Sequence, residues 1–258
     1  MKEYIKALRL PACIFAGITT FVSFRLTGNA AESLLPIFST ITIYAAIMAQ
    51  NDLRDRWNDK KKGKTFAFNN PVSFRRFTIM LWILAVIASG SLVLQNPCYL
   101  VIALPLIIIG LVYSELQQIP FISNILVALA MGLAVLYPVC NGKNIMILWL
   151  FAIFIAIAIF GREILKDFDD KEIDAGHKST LIQLYGEENA KNIVVFLVLI
   201  LDRFSAVLTL PIFFLHKVIF FEPALDLFIG DPTPKMIADV KLRLDVGLIV
   251  ITLLFGCL

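Results

Sequence analysis

The feature that most constrains the fold of this chain is a series of apolar runs, each long enough to cross a lipid bilayer. They lie near 10–27, 34–50, 77–95, 98–114, 121–140, 145–161, 192–221 and 244–258. A helix needs about 20 mostly apolar residues to cross the hydrocarbon core. Apolar residues make up 59% of the chain and charged residues 17%, whereas soluble domains have about half and about a quarter. The sequence therefore predicts a chain that crosses a membrane repeatedly.

The run 192–221 is too long for one span, and the charged pair Asp202-Arg203 interrupts it. We expect two helices there, which brings the predicted number of transmembrane helices to nine. The runs are too long for barrel strands, and helices satisfy their own backbone hydrogen bonds in lipid. The predicted fold class is all-α, a multi-pass membrane helical bundle that forms a single domain over residues 1–258.

Basic residues are concentrated in alternate connections. They are frequent at the N-terminus and in segments 51–76 and 161–191, whereas connections 25–33, 95–98 and 141–144 carry one or none. Cytoplasmic connections of membrane proteins carry an excess of Lys and Arg. We therefore expect an integral membrane protein whose loops 51–76 and 161–191 face the cytoplasm.

Two of these cytoplasmic segments contain the same acidic pattern, DxxDxxxD. The offset between them is 115 residues for each of the three aspartates. Motif one consists of Asp52, Asp55 and Asp59, and motif two consists of Asp167, Asp170 and Asp174. Spacings of three and four predict that each set lies on one face of a helix, turn over turn. Like charges at this spacing repel one another, and a bound cation would remove that penalty.

The two motifs follow predicted helices four crossings apart, which places them on the same side of the membrane. If they face each other, six carboxylates meet at one mouth of the bundle, and Asn51 adds a carbonyl oxygen. Hard oxygen ligands of this kind suit Mg²⁺ bound together with a diphosphate. Two histidines and four widely spaced cysteines indicate neither a zinc site nor a disulfide framework.

Basic side chains beside motif two are candidates for holding the diphosphate oxygens. Arg162 and Lys166 precede Asp167, and Lys178 follows Asp174 by about one turn. A second basic cluster follows motif one, and we interpret it as a patch for lipid headgroups. Its members are Lys60, Lys61, Lys62 and Lys64.

At these two motifs the sequence resembles the UbiA superfamily of intramembrane prenyltransferases. Motif one with Asn51 is similar to the family pattern NDxxDxxxD, and residues 162–174 resemble REIxKDxxDxxxD. This version of motif two is similar to that of digeranylgeranylglyceryl phosphate synthases. The resemblance implies a UbiA-like bundle of nine helices that binds Mg²⁺ and a prenyl diphosphate and transfers the prenyl group to a hydrophobic aromatic or lipid acceptor.

The resemblance also implies roles for residues outside the motifs. Tyr113 matches the tyrosine of the family's YxxxK pattern and is the candidate catalytic residue, but Gln117 stands where the lysine belongs. Arg9 is similar to a basic residue that opens the first helix and contributes to diphosphate binding. Besides donor and acceptor, we expect membrane lipids as partners and no nucleic acid.

Other functions fit the same motifs. Without an acceptor-side lysine, the prenyl cation can close on its own double bonds, as in a terpene cyclase of the same superfamily. Phosphoribosyl transfer to a polyprenyl phosphate is a further variant. A membrane transporter is the alternative from another class, because two related acidic clusters can mark repeats. Transport sites, however, usually lie near the bilayer midplane, and these clusters lie at helix ends.

Overall fold

The structure is a computed structural model that describes residues 2–61, 63–116, 119, 121–142, 145–169 and 180–208, and beyond these only positions 242, 246, 249, 250 and 252. Within this part the regular secondary structure is helical, with no strand. The helices are α1 Lys2–Ala7, α2 Leu10–Leu26, α3 Leu34–Arg54, α4 Arg56–Lys61, α5 Phe66–Asn69, α6 Pro71–Gln95, α7 Leu100–Leu116, α8 Ile122–Val135, α9 Ile145–Asp169 and α10 Leu181–Leu208. The all-α prediction is confirmed.

In the part of the chain that the structure describes, five helical segments are long and apolar enough to span a membrane. They are Leu34–Arg54, Pro71–Gln95, Pro97–Leu116, Ile122–Asn141 and Ile145–Phe168, and Leu10–Leu26 is a shorter apolar helix. These six match the first six predicted runs. The predicted run 244–258 and the second half of 192–221 fall outside the continuously described ranges, so the count of nine stays a prediction.

One predicted helix boundary is wrong. The chain was expected to break at Asp202-Arg203, but α10 continues through both residues to Leu208. Charged side chains do not disrupt the helical backbone as proline does, so a charged pair is a poor signal for a helix end. The real interruption lies at Gly186, whose backbone is non-helical with φ 82° and ψ 164°, a conformation that only glycine adopts readily.

By its internal contacts the chain forms two compact units. The first consists of residues 1–116 and 133–149, and the second of residues 117–132 and 150–258. The prediction of a single domain over 1–258 stays a prediction.

In the first unit α3 packs against α2, α6 and α7. The close approach of α7 depends on Gly110, because a Cβ built there would lie 2.5 Å from Ile47 Cγ1 and 2.8 Å from Trp82 Cη2. Hydroxyl pairs also join the helices: Ser39 and Ser89 lie 2.9 Å apart. Small residues and interhelical hydrogen bonds are what stabilise helix contacts in lipid, where burial of apolar surface supplies little. These contacts fix the position of α3, which carries motif one at its end.

Candidate active site

Motif one lies where α3 ends. Asn51 and Asp52 occupy its last turn, Asp55 is the C-cap residue with φ −82° and ψ 7°, and Asp59 lies on α4. The prediction of one continuous helical face therefore needs correction, because α3 ends at Arg54 and a separate helix, α4, begins at Arg56. Arg56 contributes to this end: its Nη1 donates to the Leu53 carbonyl at 3.1 Å, and a basic side chain is favourable at the C-terminal carbonyls of a helix.

Arg9 holds the first aspartate of motif one. Its Nη2 donates to Asp52 Oδ1 at 2.7 Å, and the side chains are 31% and 13% exposed. Burial alone would lower the pKa of Arg9. The charge of the Asp52 carboxylate and its hydrogen bond raise this pKa, and Tyr113 and Asp59 raise it by smaller amounts, so the pKa of Arg9 lies above its usual value. Arg9 adopts φ 46° and ψ 53°, which is uncommon for a residue with a Cβ and marks a constrained site.

A cleft of about 570 Å³ opens beside this ion pair. Both Asp52 and Asp59 line it, together with Arg9 and Lys64. Lys64 Nζ lies 3.4 Å from Asp59 Oδ1, and the chain reaches this position through Gly63, whose φ is +80°. The cleft therefore presents two carboxylates of motif one and their two basic partners to the same space, and Glu3 and Lys6 also line it.

This arrangement changes the interpretation of the lysine cluster. Lys64 was predicted to be part of a headgroup patch, whereas the structure pairs it with an aspartate of motif one. Lys60 stacks over the Phe68 ring, 3.9 Å from its centroid, and Lys62 lies outside the described residues. Gly63 was the sequence signal for this pairing, because a glycine allows the tight turn that brings Lys64 back to Asp59.

Tyr113, the candidate catalytic residue, lies near the end of α7. It is close enough to Arg9 to affect its electrostatics, so it belongs to the surroundings of motif one. Gln50 connects this region across three helices: its Oε1 accepts from Trp82 Nε1 at 2.7 Å, and its Nε2 donates to the Leu111 carbonyl at 3.0 Å. Sequence reasoning missed Gln50, whose partners are distant in the chain.

Motif two begins at the end of α9. Asp167 is buried, with 3% of its surface exposed, and its Oδ2 accepts a hydrogen bond of 2.9 Å from Asn124 Nδ2. Asn124 lies on α8 within the same unit and is also 3% exposed. No sequence pattern indicated this partner. Asp170, Asp174 and Lys178 lie outside the described residues.

The two basic candidates beside motif two share one carboxylate. Arg162 Nη1 lies 2.5 Å from Glu163 Oε1, and Lys166 Nζ lies 3.3 Å from Oε2 of the same residue. Glu163 is buried. This glutamate orients both cations at the start of motif two, a role that sequence reasoning did not assign to it.

The donor set of motif one fits a hard cation such as Mg²⁺. Asn51 Oδ1 is buried and has no hydrogen-bond partner in the described part of the chain, and a buried oxygen in that state is costly. A cation would satisfy it alongside the nearby carboxylates, which are the ligands that Mg²⁺ prefers. Among the described residues, however, no three acidic, histidine or cysteine side chains gather at one point. Motifs one and two lie in different units, and their predicted meeting stays a prediction.

Comparison with known proteins supports the same family as the motifs. The model of the UbiA prenyltransferase family matches residues 10–225. A digeranylgeranylglyceryl phosphate synthase of Methanosphaera stadtmanae is 24% identical over 228 residues, which cover 84% of this chain and 80% of the relative. The enzyme of the same name from Methanococcus maripaludis strain S2 is 26% identical over 212 residues, covering 77% of this chain and 74% of the relative.

Solved structures have the same fold. A UbiA homologue from Archaeoglobus fulgidus bound to GPP and Mg²⁺ is 19% identical and superimposes with a TM-score of 0.72 over 99% of this chain and 100% of its own. A structure of digeranylgeranylglyceryl phosphate synthase in membranes superimposes with a TM-score of 0.70. It is 20% identical, and the match covers 99% of this chain and 97% of its own. With the apolar helices, these similarities confirm the integral membrane fold. The chain belongs to the UbiA prenyltransferase family and is a prenyltransferase.

Proposed function

We propose that this enzyme uses Mg²⁺ to transfer a prenyl group from a prenyl diphosphate to a membrane lipid of the glycerophosphate type. The observation that supports a prenyl diphosphate as the donor is the cleft of motif one, where Asp52 and Asp59 face Arg9 and Lys64. Carboxylates that hold a cation and basic groups that hold anionic oxygens are the two elements that a metal-bound diphosphate needs. The A. fulgidus homologues were solved with GPP or DMAPP and Mg²⁺, which supports the same donor class here.

We assign the metal ligands to the two motifs and the diphosphate contacts to the basic residues beside them. The proposed ligands are Asn51, Asp52, Asp55, Asp59, Asp167, Asp170 and Asp174, and the proposed diphosphate contacts are Arg9, Arg162, Lys166 and Lys178. Bound Mg²⁺ would neutralise the leaving diphosphate as a Lewis acid. Lys64 joins the diphosphate contacts on the evidence of its position in the cleft.

The chain's own residues then organise the substrate. Arg9 orients Asp52 through their 2.7 Å bond, and Glu163 holds Arg162 and Lys166 at the entry to motif two. When the allylic carbon–oxygen bond breaks, the diphosphate leaves with the electron pair. An acceptor hydroxyl oxygen bonds to the carbon, and its proton passes to the released diphosphate. We assign Tyr113 to this step because it lies close to Arg9.

The relatives favour a lipid acceptor. Their name describes a product with two geranylgeranyl groups on glyceryl phosphate, so the acceptor is a glycerophosphate that already carries one prenyl chain. Nothing in these relatives supports the aromatic acceptor that was the other expectation, and membership of an enzyme family sets the transporter aside. Gln117, which replaces the usual lysine, lies outside the described residues, and cyclisation remains the outcome to test against transfer.

We further propose that both motifs face the cytoplasm. The support is the charge asymmetry of the connections, with basic residues concentrated in segments 51–76 and 161–191.

The test is a product analysis with purified protein in lipid vesicles. Radiolabelled geranylgeranyl diphosphate and Mg²⁺ are supplied with a prenylated glycerol phosphate, with an aromatic acceptor, or with neither. We expect diphosphate release and a labelled ether lipid only with the first acceptor. Asp52→Asn and Asp167→Asn should abolish release, whereas Glu188→Gln, the same change at an exposed position of α10, should not. A labelled hydrocarbon formed without acceptor would identify a cyclase, and full release by either aspartate variant would contradict the proposal.

A further inference from the structure

Two cysteines that are far apart in the sequence are neighbours in the first unit. Cys98 lies in the 3-10 turn Pro97–Tyr99 and Cys140 in the 3-10 turn Tyr137–Asn141. These turns contact each other, and the two thiols are close enough to interact as a side-chain pair. Both cysteines are free; Cys98 is exposed and Cys140 partly exposed.

The side chain of Asn96 fixes the backbones of both cysteines. Its Oδ1 accepts from the Cys98 amide at 3.0 Å, and its Nδ2 donates to the Cys140 carbonyl at 3.2 Å. Immediately beside the cysteines, Tyr99 Oη donates to Asn141 Oδ1 at 3.2 Å. The two turns are thus tied together by hydrogen bonds on both sides of the thiol pair.

The pair lies at the end of the first unit opposite to motif one. Asn141 Nδ2 donates to Glu32 Oε2 at 2.6 Å, and Glu32 precedes the start of α3, whereas Asp52 lies in its last turn. A helix of the 21 residues of α3 is about 30 Å long, which matches the hydrocarbon thickness of a membrane. If motif one faces the cytoplasm, as proposed above, the cysteine pair faces the opposite compartment, where disulfides persist.

We propose that Cys98 and Cys140 form an intramolecular disulfide at the non-cytoplasmic end of the bundle. The oxidant belongs to the class of disulfide compounds. The exposed Cys98 thiolate attacks one sulfur of the oxidant, whose own disulfide breaks and releases a first thiol. The Cys140 thiolate then attacks Cys98 Sγ in this mixed disulfide and releases the second thiol. Two protein thiols are oxidised, one disulfide of the oxidant is reduced to two thiols, and their two protons move to the released thiols.

The bond would close a loop of 43 residues, from 98 to 140, that contains α7 and α8. Closing such a loop restricts the unfolded chain and so stabilises the folded state. It would also clamp the far end of α7, whose other end carries Tyr113.

The first test counts thiols in the purified full chain. The protein is treated with oxidised glutathione or with dithiothreitol, denatured, and alkylated with a polyethylene glycol maleimide that shifts the band once per thiol. The chain has four cysteines, so we expect four adducts when reduced and two when oxidised. Cys98→Ser and Cys140→Ser should each give three adducts when reduced. When oxidised they should form no intramolecular disulfide, and any glutathione adduct is identified by mass. The matched control Cys13→Ser should fall from three adducts to one.

Four adducts after oxidation would overturn the proposal. So would a stalled mixed disulfide with glutathione in the wild-type protein, a disulfide-linked dimer, or a loss of adducts that requires Cys13. Prenyl transfer is measured on the same samples. Because disulfide formation needs no substrate, a failure of the proposed transferase function leaves this result unaffected.

The second test concerns the compartment. Intact cells that express the protein are quenched with acid and alkylated before lysis. Blocked thiols at Cys98 and Cys140 that become reactive after dithiothreitol support the proposal, and two freely alkylated thiols contradict it. Labelling of Cys98 by a membrane-impermeant maleimide in dithiothreitol-treated cells identifies its side independently of the disulfide.

Discussion

Replacing Asn124 by leucine should weaken the use of Mg²⁺ without unfolding the protein. Asn124 Nδ2 donates to Asp167 Oδ2 at 2.9 Å, and both residues are 3% exposed. This bond holds the carboxylate that we propose as a metal ligand of motif two. Leucine has the same number of side-chain heavy atoms and the same branching but cannot donate, so the carboxylate loses this hydrogen bond.

The magnitude follows from the bond that is lost. A hydrogen bond to a charged group contributes about 1.5–3 kcal/mol, and a middle value of about 2 kcal/mol corresponds to a factor of about 30 in an equilibrium constant. Loss of a residue that orients a metal ligand typically costs about 10–100-fold in metal affinity or activity. We therefore expect the Mg²⁺ concentration for half-maximal diphosphate release to rise about 30-fold in Asn124→Leu.

The assay is a Mg²⁺ titration of diphosphate release at saturating donor, with a thermal unfolding scan of each variant. Asn192→Leu makes the same chemical change at an exposed position of α10 and should titrate like the wild type. An unchanged Mg²⁺ midpoint in folded Asn124→Leu would refute the reasoning, because Asp167 would then not depend on its buried partner.

Three other substitutions test the first unit. Arg9→Ala should raise KM for the prenyl diphosphate by about tenfold or more, which corresponds to the loss of one charge-assisted hydrogen bond. Steady-state kinetics test this, with Arg25→Ala, an exposed position at the other end of α2, as the control, and an unchanged KM in Arg9→Ala contradicts it. Gln50→Leu should lower the free energy of unfolding by about 1–2 kcal/mol, because Trp82 Nε1 loses its 2.7 Å acceptor. Denaturation in mixed micelles measures this free energy. An unfolding midpoint equal to that of the wild type would argue against a stabilising hydrogen bond between Gln50 and Trp82. Gly110→Ala should cost about 1–3 kcal/mol through overcrowding, since its Cβ would lie 2.5 Å from a neighbouring side chain. The control in the same assay is Gly90→Ala, because no heavy atom lies within 4 Å of a Cβ built there. Equal unfolding midpoints for Gly110→Ala and Gly90→Ala would contradict the close packing at Gly110.

Hydropathy predicted which segments are helical but not where the helices end. The run 34–50 extends to Arg54 and the run 145–161 to Asp169, while the run 77–95 begins at Pro71. Apolar composition reports the length immersed in lipid, whereas the helical backbone continues into water. The ends matter here because the first residues of both motifs lie in these polar extensions.

The site was predictable only where its signal is local. Regular spacing predicts the aspartates as ligands, and the distribution of charges predicts the side of the membrane; both stay predictions. Asn124 lies 43 residues from Asp167, and Lys64 reaches Asp59 through a turn at Gly63, so neither partner follows from helical periodicity. The neighbouring thiols of Cys98 and Cys140 were missed for the same reason, since only packing brings their turns together.

The most direct test of the central claim is a binding cycle with an unreactive prenyl thiodiphosphate. Calorimetry with and without Mg²⁺ compares wild type, Asp52→Asn, Asp167→Asn and the double variant. If both motifs hold one metal–diphosphate group, each single substitution should remove most of the Mg²⁺-dependent affinity, and the double variant should bind little worse than either one. Wild-type binding by one single variant, or losses that add up fully in the double variant, would contradict a shared site.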